Sequence, residues 1–516
     1  MQLIDAATDA HLWAQTFDRE LTANNIFAIQ SEIAGAVTNA MRVTLTPDEQ
    51  QRISDVPTEN MAALNLYFKG RLELDQRTLP ALQSARLRFE EARRLDAGFA
   101  LAWASEAQAI LLVSDSWGAY GEIPVADAIA LARPLLEQAY QLAPDDAQVL
   151  AVYGLLERED QNIDLALEYY RRSLLINPSS GEVLNWQGIA QSQKGLHRES
   201  LETTARMVEV DPMSMVALFG AAFTFVNTPY DDGTRVEELL NRLEGLDKGY
   251  GLGARARVMH QRGRVVEAVR LYYKALELDP GRSALRSRLG RILRSLNLVE
   301  EALLVDPRMD DLDAAWARSD AESVLRLARA RYADSPSSPA RRDLMSALAI
   351  YSDNPEEAMP LAREVFSELE NSQWQAWWFL LDIAWMADML EYPSEAMQWR
   401  DLGAAALEAA IKAGKSGGRF EFGKMQLAML DGRKQDALEA LEQAIELGVR
   451  RNWIGESRRY AAFRDDPQFQ ALVTRMLDTI ASEREQVVAM LCGPDPIVTT
   501  WQPAPETCAS EPNNSP

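Results

Sequence analysis

Five short stretches of the chain look alike: "LAPDD" (142–146), "INPSS" (176–180), "VDPMS" (210–214), "LDPGR" (278–282) and "VDPRM" (305–309). Their prolines, Pro144, Pro178, Pro212, Pro280 and Pro307, stand 34, 34, 68 and 27 residues apart. An interval that repeats and then doubles, before the last gap breaks step, marks a repeat architecture. In such a chain each period is one supersecondary unit, and neighbours stack to share a core. With 516 residues one ordinary core would be too large in any case.

Within a period the pattern is helical. In "AQVLAVYGLLEREDQNIDLALEYYRRSLLINP" (147–178), Leu150, Tyr153, Gly154 and Leu156 fall on one helical face. "EDQN" (159–162) turns, and Leu165, Ala166, Tyr169, Tyr170 and Leu174 make a second face. Pro178 cannot continue the backbone ladder and stops the second helix. Small residues stand where two antiparallel helices must cross closely: Gly154, Ala166 and Ser173 here, and Ala85 and Ala92 around Phe89 in an earlier unit. Ala132 and Ala139 follow, then Ala268 and Ala275 around Tyr272, and Ala437 and Ala444 around Leu441.

Period, small positions, aromatic position and closing proline together resemble the tetratricopeptide repeat (TPR) family. The resemblance implies an all-α fold, an α-solenoid of TPR helix hairpins. Some positions depart from the pattern. Ala97 stands where proline is usual, Ser200 and Thr204 replace the small and aromatic residues, and 13 residues are inserted near 114–126. From about 283 to 420 the repeats are degenerate. The spacing predicts a TPR array over 61–310 and degenerate helical repeats over 311–490.

The start of the chain reads differently. Leu3-Ile4 and Leu12–Phe17 alternate as strands, and a helix begins near Asn25 with Ile26, Ile29, Ile33 and Val37 on one stripe. A polar linker, "TPDEQQRISDVPTEN" (46–60), follows. The order resembles bacterial signalling proteins in which a TolB amino-terminal-like α/β domain feeds into a TPR array. On that resemblance, residues 1–45 are the last hairpin and helix of a truncated α/β domain, a short N-terminal β-hairpin remnant. An effector domain, winged-helix or adenylate cyclase-like, would lie upstream.

Lys and Arg number 53 against 77 Asp and Glu, a formal charge of −24. That balance opposes attraction to nucleic acid or anionic lipid, so no direct nucleic-acid binding is expected. The best apolar runs, 215–226 and 377–390, are too short or too charged to span a bilayer. The N-terminus shows no basic-then-apolar leader. The two cysteines, Cys492 and Cys508, could close only a short loop, and only in an oxidising compartment. The Pro-, Ser- and Asn-rich segment 491–516 is expected to be disordered. No H-E-x-x-H, C-x-x-C or P-loop pattern occurs. "GYGLG" (249–253) has no strand before it and reads as a turn ahead of a helix at 252–261. No catalytic residue, metal or cofactor is therefore expected, and the chain reads as a non-enzymatic binder.

In the TPR family the first helix of each pair lines the concave face. Carried over by position, the groove candidates are Gln148, Arg158, Asn185, Ser192, Tyr250, Arg257 and His260. Arg158 and Arg257 would suit a carboxylate; ordinary exposed helix residues are the plainer reading. Trp374, Trp377, Trp378 and Trp385 share one helical face. They read either as a bulky interhelical core or as an aromatic surface for an apolar partner. Two functions fit: a scaffold binding a protein or peptide partner, or a regulatory segment of a signalling protein. The compartment reads as cytoplasmic, or periplasmic if a membrane span lies upstream.

Overall fold

The computed structural model describes residues 2–4, 11–16, 23–40, 46, 56–114, 123–226, 228, 231, 233–307, 309–334, 336–371, 376–451, 454–455, 457–494, 496–497 and 501–509. Among these, strand occurs as β1 (Gln2–Ile4) and β2 (His11–Ala14), an antiparallel pair with Leu3 opposite Trp13. Helix α1 (Ala23–Ala40) follows and touches β2. Phe17, expected in the second strand, lies outside the described residues.

The rest is helix hairpins in two compact units. The first comprises Met1–Asp160 and Glu168–Asn177, the second Gln161–Leu167 and Pro178–Pro516. The compact units thus divide near residue 160, well before the sequence turns degenerate. Helices α2 (Met61–Asp75), α3 (Leu79–Leu95), α4 (Ala100–Leu112), α5 (Val125–Leu142) and α6 (Ala147–Glu159) belong to the first unit. Most of α7 (Ile163–Ile176) belongs there too. The second unit continues with α8 (Gly181–Gln193), α9 (His197–Val210), α10 (Met215–Phe225), α11 (Arg235–Leu246), α12 (Lys248–Gln261) and α13 (Val265–Leu278). Then come α14 (Ser283–Ser295), α15 (Val299–Val305), α16 (Asp311–Ala317), α17 (Ala321–Asp334), α18 (Ser338–Tyr351) and α19 (Ala358–Asn371). It ends with α20 (Trp377–Met389), α21 (Pro393–Lys412), α22 (Gly418–Leu430), α23 (Lys434–Glu446), α24 (Pro467–Cys492) and α25 (Pro505–Ala509).

The repeated proline motif does two jobs two residues apart. At Pro144, Pro178 and Pro212 the proline follows the end of one helix, and the second residue after it caps the next. Asp146 accepts the amides of Gln148 and Val149 at 2.8 and 3.0 Å, and Ser180 and Ser214 accept from Val183 and Ala217. The small positions are where the helices cross. Ala85, Ala92, Ala132, Ala139, Ala268, Ala275, Ala437 and Ala444 are fully buried. A Cβ on Gly154 would stand 2.5 Å from the Tyr170 ring, and one on Gly70 2.6 Å from Phe89. Where Ser200 and Thr204 replace the usual residues, their hydroxyls donate to the Gly188 and Ser200 carbonyls, both at 2.8 Å. The substitution leaves no buried donor unmet.

The glycines of 249–253 are not a turn. Helix α12 starts at Lys248, its first amides capped by Asp247, which accepts from Tyr250 at 2.7 Å. A Cβ on Gly251 would lie 2.5 Å from the Glu244 Cα, and one on Gly253 2.7 Å from Leu285. These glycines thin the helix so that α11 and α14 can approach it. The second unit also folds back on itself. One core joins α10–α15 to α22–α24, and the turn at Gly263 (φ +75°) abuts the turn at Gly448 (φ +90°) backbone to backbone.

Residues 501–509, expected to be disordered, lie against α15. A disulfide joins Cys492 to Cys508. Glu301 on α15 is fully buried and accepts from the Tyr273 hydroxyl (2.6 Å), Trp501 Nε1 (2.7 Å), the Ala504 amide (2.8 Å) and the Thr507 hydroxyl (3.3 Å). A buried carboxylate must find donors, and three of its four come from this strap. Polar composition concealed that role.

Candidate functional site

In the second unit the first helices of successive hairpins touch where α8 meets α10 and α10 meets α12. Their side chains build one strip. Asn185 on α8 faces Gly220 of α10, where a Cβ would come within 3.3 Å of its Oδ1. On α10, Phe219 and Phe223 are one turn apart. Tyr250 of α12 packs on Phe219 at 5.4 Å between ring centroids. The Arg257 guanidinium lies 3.1 Å from the Phe223 ring centroid and 5.3 Å from that of Phe219. A cation set over aromatic faces gains electrostatic attraction without a carboxylate.

Beyond Arg257 the strip turns basic. His260 follows it by one turn on α12. The charges acting on both include Arg288 and Arg291 of α14. Burial first, and then Arg288, press the Arg257 guanidinium well below its ordinary value. His260 reaches solvent, but the surrounding walls dehydrate it. With Arg291, Arg288, Arg257 and Arg450 nearby, they hold its imidazole at about 4. It is neutral at pH 7. Arg291 is likewise lowered, by burial and then by Arg288, with Asp306 opposing.

The sequence-predicted groove residues do not all meet. Asn185, Tyr250, Arg257 and His260 belong to the strip. Ser192, near the end of α8, is partly buried, and its carbonyl accepts the Lys194 and Gly195 amides. Gln148 and Arg158 sit in the first unit and are engaged there. Gln148 accepts from the Tyr67 hydroxyl at 2.9 Å and donates to Ser105 at 2.7 Å. Arg158, expected as a groove cation, is buried and paired with Glu159. Its neighbour supplies the counter-charge that a ligand was expected to bring. Arg288 and Arg291, which sequence reasoning passed over, complete the strip. Their i, i+3 spacing on a first helix was the available signal.

The tryptophans divide. Trp377 is 4% exposed and lies so close to Gly423 that a Cβ there would be 2.5 Å away. Trp378 and Trp385 are partly buried beneath guanidinium groups, Arg419 at 3.9 Å and Arg459 at 5.1 Å from the ring centroids. Trp374 lies outside the described residues. A cavity of about 250 Å³ opens beside Trp385, Gln426, Arg459 and Tyr460. There Arg459 pairs with Asp382 at 2.5 Å, and Gln426 donates to the same carboxylate. Among the described residues no cluster of His, Cys, Asp and Glu is placed to hold a metal, and no helix is long and apolar enough to cross a membrane.

Stacked hairpins with small residues at their crossings, three of them capped two residues after a repeat proline, decide the architecture. The chain is a TPR-like helical repeat array. No protein-family model matches it. Over 104 residues it is 35% identical to "Putative adenylate cyclase 3" of Rhizobium meliloti; the match covers 20% of this chain and 17% of that protein. Similar solved structures include YrrB, described as a TPR protein with an unusual peptide-binding site, at 17% identity. That likeness covers 41% of this chain and 98% of YrrB, with a TM-score of 0.23. A MamA double mutant is 14% identical, covering 37% of this chain and 97% of that one, with a TM-score of 0.25. Cut9–Hcn1, an APC/C hetero-tetramer, is 14% identical, covering 84% and 90%, with a TM-score of 0.43.

Proposed function

We propose that this chain is a non-enzymatic scaffold whose second unit binds a protein or peptide partner along the strip from Asn185 to Arg291. The juxtaposition of Phe219, Phe223, Tyr250 and Arg257 carries this reading. Aromatic anchors beside a guanidinium are the residue types that dominate protein interfaces. A display library of random peptides panned on the full chain tests it. Selected peptides should bind about tenfold or more weakly to Tyr250→Ala and to Asn185→Ala. Peptides that retain full affinity for both variants, and crosslink instead to α9, α11 or α13, refute it.

A second reading is supported by the 35% identity to part of an adenylate cyclase-like protein. In it the array regulates a signalling protein whose effector lies in another segment. An in-frame cyclase-type sequence upstream of Met1, linked to the array in one polypeptide, is the expected finding. An unrelated reading frame ending in a stop there sinks it. The Cys492–Cys508 bond favours an oxidising compartment such as the periplasm over the cytoplasm.

A further inference from the structure

We propose that the cavity between α20, α22 and the short turn Arg458–Phe463 binds a single free apolar α-amino acid, its ammonium held by Asp388 and Gln426 and its carboxylate by Arg458. The cavity lies on other elements than the strip, so the inference does not depend on the peptide-binding reading above.

The first support is a prebuilt wall facing uncovered apolar surface. Arg459 fixes the turn to α20, donating to the Asp382 carboxylate at 2.5 Å and to the Leu381 carbonyl at 3.3 Å. Arg458 donates to the Ser352 carbonyl at 2.8 Å, and the Ser457 hydroxyl accepts the Arg459 amide at 3.3 Å. Tyr460 and Phe463 are buried and pack on Phe469. The turn is held before any ligand arrives, so binding need order only the ligand. Trp385, Met389, Met429 and Leu430 also line the space of about 250 Å³, and all four stay half-buried. Apolar surface left uncovered in a concavity is what the apolar body of a ligand removes from water. Ligand pockets commonly run about 300–1,000 Å³, so this one suits one small molecule and not a peptide.

The second support is the charge around the cavity. Arg459 is engaged by Asp382, and the Gln426 amide nitrogen donates to the same carboxylate at 3.2 Å. An ionised carboxylate only accepts, so that bond fixes which way the amide points. The Gln426 side-chain oxygen is left without a partner among the described residues, although Gln426 is only 6% exposed. A buried acceptor needs a donor. Among the described residues Asp388 has no cation within 4.0 Å and Arg458 no carboxylate, so the two are not paired with each other. Both line the cavity. Opposite charges held apart around one small space match a molecule that carries both. A simple amine would leave Arg458 unanswered, and a simple acid would leave Asp388 and the Gln426 oxygen. An α-amino acid meets all three: its ammonium has three donors, and guanidinium takes a carboxylate in a planar bidentate contact. Its side chain then lies against Trp385 and the two methionines, which adapt to different apolar shapes.

The test uses the full chain and isothermal titration with L-phenylalanine, L-leucine and L-methionine. The tightest binder is then compared with its decarboxylated amine and its deaminated acid. At least one amino acid is expected to bind with a Kd of about 1 mM or tighter, and both analogues about tenfold or more weakly. Asp388→Asn should weaken the amino acid about tenfold and leave the acid analogue unchanged, and Arg458→Gln should weaken it equally and leave the amine analogue unchanged. Arg458→Lys should restore part of the affinity. Lys412→Gln, removing an exposed cation of α21 paired to Glu408, should change nothing. Asp388 and Arg458 are both exposed, and circular dichroism confirms that their variants fold. An amine or acid analogue that binds as tightly as the amino acid overturns the proposal. So does amino-acid binding undiminished by both Asp388→Asn and Arg458→Gln, and so does the absence of binding by all three amino acids at about 10 mM. None of these results touches the peptide display on the strip, so the two readings fail separately.

Discussion

Replacing Glu301 by alanine removes the acceptor on which the C-terminal strap converges. Four donors lose their partner: the Tyr273 hydroxyl, Trp501 Nε1, the Ala504 amide and the Thr507 hydroxyl. Three can leave with the strap, but Tyr273, 1% exposed, cannot. A typical hydrogen bond contributes about 0.5–1.5 kcal/mol net, so the three strap bonds hold it with about 2–4 kcal/mol. The stranded Tyr273 hydroxyl costs about 1–3 kcal/mol more, read as a lower urea midpoint. Since about 1.4 kcal/mol is a factor of ten, amide exchange in peptides spanning 501–509 should accelerate about 30- to 700-fold. The disulfide, closing a separation of 16 residues, contributes about 3 kcal/mol in the chain-entropy view. It restrains the unfolded chain and does not replace Glu301. Cys508→Ser should therefore lower the midpoint while leaving 501–509 largely protected. Unchanged exchange in the Glu301→Ala protein would show that the strap does not depend on this carboxylate.

Ala268→Leu forces a larger side chain into a fully buried crossing and should cost about 1–3 kcal/mol; an unaltered urea midpoint would contradict the helix register. Gly154→Ala, meeting the Tyr170 ring at 2.5 Å, should destabilise by a similar ~1–3 kcal/mol. Gly245→Ala, with nothing within 4 Å inside α11, should stabilise by about 0.5–1 kcal/mol, and opposite signs in thermal melts check the pair. Burial, and then Lys415, lower the His197 imidazole from 6.5 to about 4. The folded state therefore prefers it neutral, and its contribution is complete above about pH 6.5 and is lost as pH falls towards 4. That amounts to about 3 kcal/mol. His197→Gln should remove that share of the pH dependence, leaving the share of His260, which is lowered over the same range, and a His197 imidazole resonance titrating near 6.5 in the folded protein would refute the assignment.

The hairpins were legible because crossing helices constrain residue size. Gly154, Ala166 and Ala268 can be read as contacts without knowing the partner helix. Proline and cap are likewise local signals, so Pro144 and Asp146 announce a helix boundary by themselves. The strip was legible only in part. Tyr250 and Arg257 stand on the first helix of their hairpin, but whether a cation is available depends on what stands opposite it, and that is a tertiary fact. Arg158 finds Glu159 next door, whereas Arg288 and Arg291 have no carboxylate within 4.0 Å among the described residues. The glycines at 249–253 misled because glycine marks turns and close helix approach alike. The strap was hidden because a polar, proline-rich segment can be ordered by one buried acceptor, and Glu301 lies some 200 residues away in sequence.

The meeting of Gly263 with Gly448 has a consequence for how the second unit forms. An open array folds by nearest-neighbour growth and tolerates added modules. Here two turns 185 residues apart share a backbone contact. Closing that span costs about 1.5 kcal/mol more chain entropy than closing one 34-residue module, and nothing is recovered until the far end arrives. Assembly should therefore be slow and all-or-none. Inserting a further hairpin between α13 and α22 would pull the circuit out of register where an open stack would simply lengthen.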